Sequence, residues 1–313
     1  MRTLMAVTAL VLALAGCGAD ASAPGQARTE ATSPPPPKKS APGTDYSKVM
    51  VIVEENKSYD EVMTSGHAPY FEELAARYAS ADAMDAGYPL ECPSLAAYLL
   101  MTSGDRAGIC DDDGPDQHPR PGPNIFSQVA DSHRQWRGYA ESMPRPCSHH
   151  NSGRYLVRHA PAPYYRSEAS RCGQWDLPLG TLAAGALHDD IAAGSLPTYS
   201  MVTPNACNDM HGAPGCGEQV STGDAWLARW LPVILAGPDY RAGHLVVIVT
   251  FDEGSSSDNR IPTLVVAPTA NQIVVRQPLT HCSMLRLAEE ILHVPLLGCA
   301  ADVPSPRAAF GLS

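Results

Sequence analysis

Two short β-branched runs end abruptly in acidic residues, and this repeated pattern constrains the fold more than any other feature of the chain. Val49 to Glu54 reads VMVIVE and continues into Glu55 and Asn56, while Leu245 to Phe251 reads LVVIVTF and continues into Asp252, Glu253 and Gly254. An apolar run without polar alternation is the pattern of a strand covered on both faces, as in a parallel sheet. Leu264 to Ala267 is a third strand candidate and Thr198 to Val202 is strand-like. Between them lie helical patterns. Ala225 to Leu235 places Trp226, Leu227, Trp230, Leu231 and Ile234 on one stripe, with Pro232 expected to kink it, and Cys282 to Leu292 places Met284, Leu285, Ala288, Ile291 and Leu292 on another. Strands alternating with helices predict an α/β sandwich with a mostly parallel sheet. Ligands of such sheets sit beyond the carboxyl ends of the strands, where both acidic pairs fall.

The ends of the chain are organised differently. Residues 1–16 carry one Arg and then an apolar stretch too short to cross a bilayer comfortably, which is the pattern of an export signal. Leu14-Ala15-Gly16-Cys17 resembles the lipobox of bacterial lipoproteins, so Cys17 is the expected lipidation site and the membrane an expected partner through that anchor. Residues 17–44 contain few large apolar side chains and the run Pro34 to Pro37, and are expected to form a disordered tether. One folded unit is expected over 45–313, in an extracytoplasmic, membrane-anchored or secreted protein. With 22 Lys plus Arg against 33 Asp plus Glu and no basic stripe, nucleic acid is not an expected partner.

Beyond Cys17, eight cysteines remain, an even number outside the cytoplasm, which favours disulfides. Short separations suggest Cys92–Cys110, Cys147–Cys172, Cys207–Cys216 and Cys282–Cys299. No Cys-x-x-Cys pair supports a thiolate metal site.

Taken alone, each acidic pair reads equally well as a solvated loop or as half of a convergent site, and converging carboxylates would require a divalent cation. Ser94, in Cys92-Pro93-Ser94-Leu95 before the apolar Leu95 to Met101, sits at a helix start. There it reads either as a plain N-cap or as a nucleophile favoured by the helix dipole. His211 lies in a polar, Gly-bounded loop with Asp209, while His159 and His281 read as structural residues or site residues.

The order of these segments changes the weighting. Val53 to Asp60 (VEENKSYD), Pro93-Ser94-Leu95, Arg158-His159-Ala160-Pro161 with Tyr164-Tyr165, Asn208 to His211, Thr250 to Gly254, and His281-Cys282-Ser283 together resemble the bacterial phosphoesterase family. That family comprises acid phosphatases and phospholipases C of the alkaline-phosphatase-like superfamily. The resemblance runs from about Val49 to Ala300 and implies a three-layer α/β sandwich with a mostly parallel central sheet. It implies a metal held by Glu55, Ser94, Asp252 and Glu253, with Ser94 as nucleophile and Asn56 on the phosphate. It also places His211, with Asp209, at the phosphate or leaving group, and matches His159 to a recurrent family histidine. Two positions depart from the family pattern: Ala96-Ala97 stand where Pro-Asn is usual, and Arg260 stands where many relatives carry His. Arg260 is therefore a candidate phosphate ligand, since its planar fork suits an oxyanion.

The expected function is a hydrolase acting on phosphoric esters: a metal-dependent phosphomonoesterase of acid-phosphatase type, working through a phosphoserine. The substrate would be a small phosphate ester or a phospholipid. Oxygen-rich ligation favours calcium, magnesium or manganese over zinc. The alternatives are a phospholipase C-like phosphodiesterase and a lipoprotein that binds phospho-ligands without turnover.

Overall fold

The computed structural model describes residues 44–312. The export signal, Cys17 and nearly all of the expected tether lie outside these residues.

The strands are β1 Lys48–Glu54, β2 Ala79–Ala81, β3 Trp136–Ala140, β4 Asp176–Pro178, β5 Tyr199–Thr203, β6 Leu245–Phe251, β7 Thr263–Val266 and β8 Ile273–Val275. They form one sheet of order β4-β3-β5-β1-β6-β7-β2-β8. β7 runs antiparallel to both of its neighbours, and the other pairings are parallel. The two runs that opened the sequence argument are adjacent central strands, and β6 is buried along its whole length. Because β1 and β6 pair in parallel with Glu54 opposite Phe251, Glu55 and Asp252 emerge side by side from the same end of the sheet.

The helices are α1 Tyr59–Met63, α2 Pro69–Arg77, α3 Leu95–Ser103, α4 Ile125–Asp131, α5 Cys172–Trp175, α6 Ala186–Ala193, α7 Gln219–Ala236, α8 Pro238–Arg241 and α9 His281–Leu292. They flank the sheet in two layers: α3 packs against α4 and α9, and α2 packs against α7. Every residue of α3 is buried, which explains its lack of an amphipathic stripe. The helix ends at Gly104, whose φ of 67° is left-handed and whose missing side chain leaves room for Leu297 O. α7 is longer than its sequence pattern indicated and contains Pro232, and the predicted apolar stripe is its buried face.

Four disulfides join Cys92 to Cys110, Cys147 to Cys172, Cys207 to Cys216 and Cys282 to Cys299. No helix among the described residues is long and apolar enough to cross a membrane.

Candidate active site

Three central strand ends build the site. Asp252 donates its backbone N–H to Glu54 O across 3.0 Å, and Glu55 donates its own to Asp209 O across 2.6 Å, so the segments after β6, β1 and β5 are stitched together by main chain. Asn56 takes a left-handed φ of 50°, which asparagine tolerates better than most residues, and its N–H reaches Asp252 Oδ1 at 2.9 Å. The same oxygen accepts from Glu253 N at 2.7 Å.

Ser94 begins α3 in helical conformation, and its side chain does not cap the helix. Instead Oγ donates to Glu55 Oε2 at 3.0 Å, and Tyr98, one turn further on, donates to Glu55 Oε1 at 2.6 Å. The i, i+4 spacing puts both hydroxyls on one face of the helix, aimed at one carboxylate. His159 stacks on Tyr98 at 5.3 Å between ring centroids, with Nε2 3.2 Å from Glu55 Oε2 and Nδ1 3.6 Å from Asp209 Oδ2. Asp209 Oδ1 accepts from His211 N at 2.9 Å, and His211 Nδ1 donates to Gly212 O at 3.1 Å, leaving Nε2 without the proton. Tyr88 donates to Glu253 Oε2 at 2.9 Å, and His281 donates through Nε2 to Asp252 O at 2.6 Å.

The electrostatics are those of crowded, buried acids. Burial, with repulsion from Glu55, raises Asp252 and Asp209 well above the usual carboxylate range, and burial also raises Glu55. Burial and the Asp252 charge push Glu253 up to about 8. Burial holds His281 down at about 4 and, with the charge of Arg158 adding, His159 down at about 3. Glu54, fully buried with neither carboxylate oxygen hydrogen-bonded, is raised by burial and by Asp209.

The residues present include donors of the kind a divalent cation takes. Asp252 Oδ2, Asp209 Oδ2 and His281 Nδ1 are buried without hydrogen-bond partners, and since His281 Nε2 carries the ring proton, Nδ1 presents a lone pair. Uncompensated carboxylates at this density need a positive charge, and oxygen donors dominate the set. Among the described residues the group of His, Cys, Asp or Glu that brings three potential ligand atoms within 4.8 Å of one another is Asp111, Asp113 and His118, in the loop after Cys110, and both of its carboxylates are exposed.

Of the residues singled out from sequence, Glu55, Asn56, Ser94, His159, Asp209, His211, Asp252 and Glu253 lie in this linked cluster. Arg260, expected as a phosphate ligand, has other partners in the structure. Its guanidinium covers the Tyr59 ring at 3.6 Å, donates from Nε to Asp82 O at 2.7 Å and faces Asp60, and it makes no hydrogen bond or ion pair with Glu55, Asp209, Asp252 or Glu253. Sequence reasoning also gave no role to Tyr98 or Tyr88. The helical register of Tyr98 on Ser94 was the available signal, whereas nothing local marks Tyr88.

Comparison with known proteins shows the family and the fold. The Phosphoesterase family model matches residues 64–295. The chain is 28% identical to a phosphatidylinositol-3-phosphatase of Mycobacterium tuberculosis over 83% of this chain and 81% of that protein. It is 23% identical to an acid phosphatase of Aspergillus fumigatus over 69% of this chain, and it spans half of that relative's length. A solved alkaline phosphatase superfamily protein from Vibrio parahaemolyticus superposes with a TM-score of 0.60 at 11% identity, covering 85% of this chain and 72% of that one. The lipoteichoic acid synthase LtaP of Listeria monocytogenes superposes with a TM-score of 0.53 at 10% identity, covering 81% and 74%. The chain therefore belongs to the Phosphoesterase family, as a hydrolase of phosphoric esters on an alkaline-phosphatase-like α/β fold.

Proposed function

We propose that this protein is a metal-dependent phosphomonoesterase that works outside the cytoplasm through a phosphoserine at Ser94. The observation that carries the reading is the 3.0 Å hydrogen bond from Ser94 Oγ to Glu55, inside a buried carboxylate cluster at the ends of the central strands. The N-terminal sequence pattern and four disulfides support an oxidising location, with Cys17 as the anchor.

Glu55, Asp252, Glu253 and Ser94 would hold the cation, with Asp209 and His281 offering further donors. Bound there, a calcium, magnesium, manganese or zinc ion supplies positive charge that favours the serine alkoxide and offsets charge on the phosphate. The chain's own groups do the rest. Ser94 Oγ bonds to phosphorus in line as the bond from phosphorus to the alcohol oxygen breaks, and the proton lost by the serine ends on that oxygen, which leaves as the alcohol. The Asn56 side-chain amide, 3.3 Å from Glu55 Oε2, lies where it can steady an equatorial oxygen. His211, kept neutral by burial and by nearby cationic groups, has Nε2 free to take a proton from the water that cleaves the phosphoserine.

The mycobacterial relative's name favours one refinement of substrate, a phosphate monoester on an inositol lipid headgroup. The test is release of phosphate from a chromogenic monoester, the matching diester and a phosphoinositide by metal-replete protein and by Ser94→Ala. Monoester turnover abolished in Ser94→Ala supports the proposal. Preferential diester turnover favours a phospholipase C-like enzyme instead, and binding without turnover favours a non-catalytic lipoprotein.

A further inference from the structure

We propose that Arg158 is the guanidinium that grips the substrate's phosphate, held in place by Asp112. This inference rests on the reading of Ser94 as nucleophile. It assigns to Arg158 the phosphate-binding role that sequence had offered to Arg260.

The geometry starts at the first turn of α3. Asp112 accepts the Leu95 N–H through Oδ1 at 3.1 Å, and its other oxygen lies 3.1 Å from Arg158 Nε. One carboxylate thus bridges the residue after Ser94 to the guanidinium and fixes the arginine beside the proposed nucleophile. The Nε–Asp112 contact is an ion pair without hydrogen-bond geometry, and neither Nη1 nor Nη2 donates to a protein acceptor among the described residues, so the outer edge of the fork is uncommitted. Two parallel N–H donors on that edge match a tetrahedral oxyanion. The charge of Arg158 reaches the rest of the site: it lowers His159 and His211 and opposes the rise of Glu55. Lys57 also acts on His211, and its Nζ donates to Asn56 O at 3.2 Å. A phosphate brought to Ser94 adds negative charge to a carboxylate-rich cleft, and a fixed arginine offsets it.

The probe is inorganic phosphate as a competitive inhibitor of monoester hydrolysis, measured with metal-replete full-length protein. Arg158→Ala is expected to raise the inhibition constant for phosphate about 10- to 100-fold and to lower kcat/KM, with its cooperative melting transition retained. Arg158→Lys should recover part of the affinity, and Asp112→Asn should weaken phosphate by a smaller factor. An unchanged inhibition constant in folded Arg158→Ala overturns the inference, even if Tm or kcat falls. Should Arg158→Ala fail to fold, Arg158→Lys decides: affinity reduced about threefold or more supports the fork, and wild-type affinity overturns it. Active wild type silenced by Ser94→Ala, with phosphate inhibition indifferent to Arg158, sinks this inference alone. A wild type that neither turns over esters nor binds phosphate sinks both.

Discussion

Asp252 Oδ1 accepts the backbone N–H of Asn56 at 2.9 Å, which locks the loop after β1 to the loop after β6. Two acidic segments separated by nearly 200 residues of sequence become one site through this bond and the parallel register beneath it.

Asp252→Asn keeps an acceptor for Asn56 and Glu253 and removes one of several mutually repelling buried charges. The metal-free variant should therefore melt at least as high as metal-free wild type, while the stabilisation gained on adding a divalent cation shrinks and ester hydrolysis falls at least about 100-fold. Thermal melts with chelator and with added cation check both parts. A variant that melts lower without metal, yet gains as much from metal as wild type, contradicts the assignment.

Tyr98→Phe removes the hydroxyl that donates to Glu55 at 2.6 Å and keeps the buried ring. A hydrogen bond to a charged group contributes about 1.5–3 kcal/mol, so kcat/KM should drop roughly 10- to 100-fold if the bond orients Glu55 for chemistry. Steady-state kinetics alongside a melting curve separate this from a packing defect, which would move Tm and leave turnover alone.

Asp176 gives a pH dependence with a defined sign. It is buried on edge strand β4, Oδ2 has no hydrogen-bond partner, and burial raises it to about 7. Between its unfolded value near 4 and 7 the native state binds more protons than the unfolded state, so this group's contribution to stability falls as pH rises through that window and levels off above it. Asp176→Asn should stabilise the protein at pH 8 and change little at pH 4. Denaturant unfolding at the two values tests this, and equal effects at both would remove the titration argument.

Cys282–Cys299 closes a loop of 17 residues between α9 and the segment that passes Gly104. Replacing both cysteines by alanine should cost about 3 kcal/mol, seen as a lower midpoint in denaturant. Since Cys282 is buried and its partner Cys299 half-buried, reductant should act more slowly on this bridge in the folded protein than in the unfolded one.

The strands that carry the site were legible because they are buried on both faces and so read as unbroken apolar runs, and β6 begins and ends where its sequence pattern does. The four disulfide pairs followed from short separations, since nearby cysteines are the ones a compact loop brings together. The edge strands β4 and β8, and β2 beside β8, have three residues each, too few to show any period. Arg260 was assigned by position in a motif, and the aromatic face of Tyr59 and the Asp82 carbonyl, both non-local, decide where its side chain goes. Tyr88 and Asp112 reach the site from loops whose paths depend on tertiary contacts.

Ser94 as the covalent nucleophile is the central claim, and trapping the phosphoenzyme tests it most directly. Metal-replete protein quenched in acid during turnover of a labelled monoester should carry one phosphoryl group, mapped to the peptide containing Ser94 and absent from Ser94→Ala. Turnover by a folded Ser94→Ala at the wild-type rate, or label on another residue, would contradict the account.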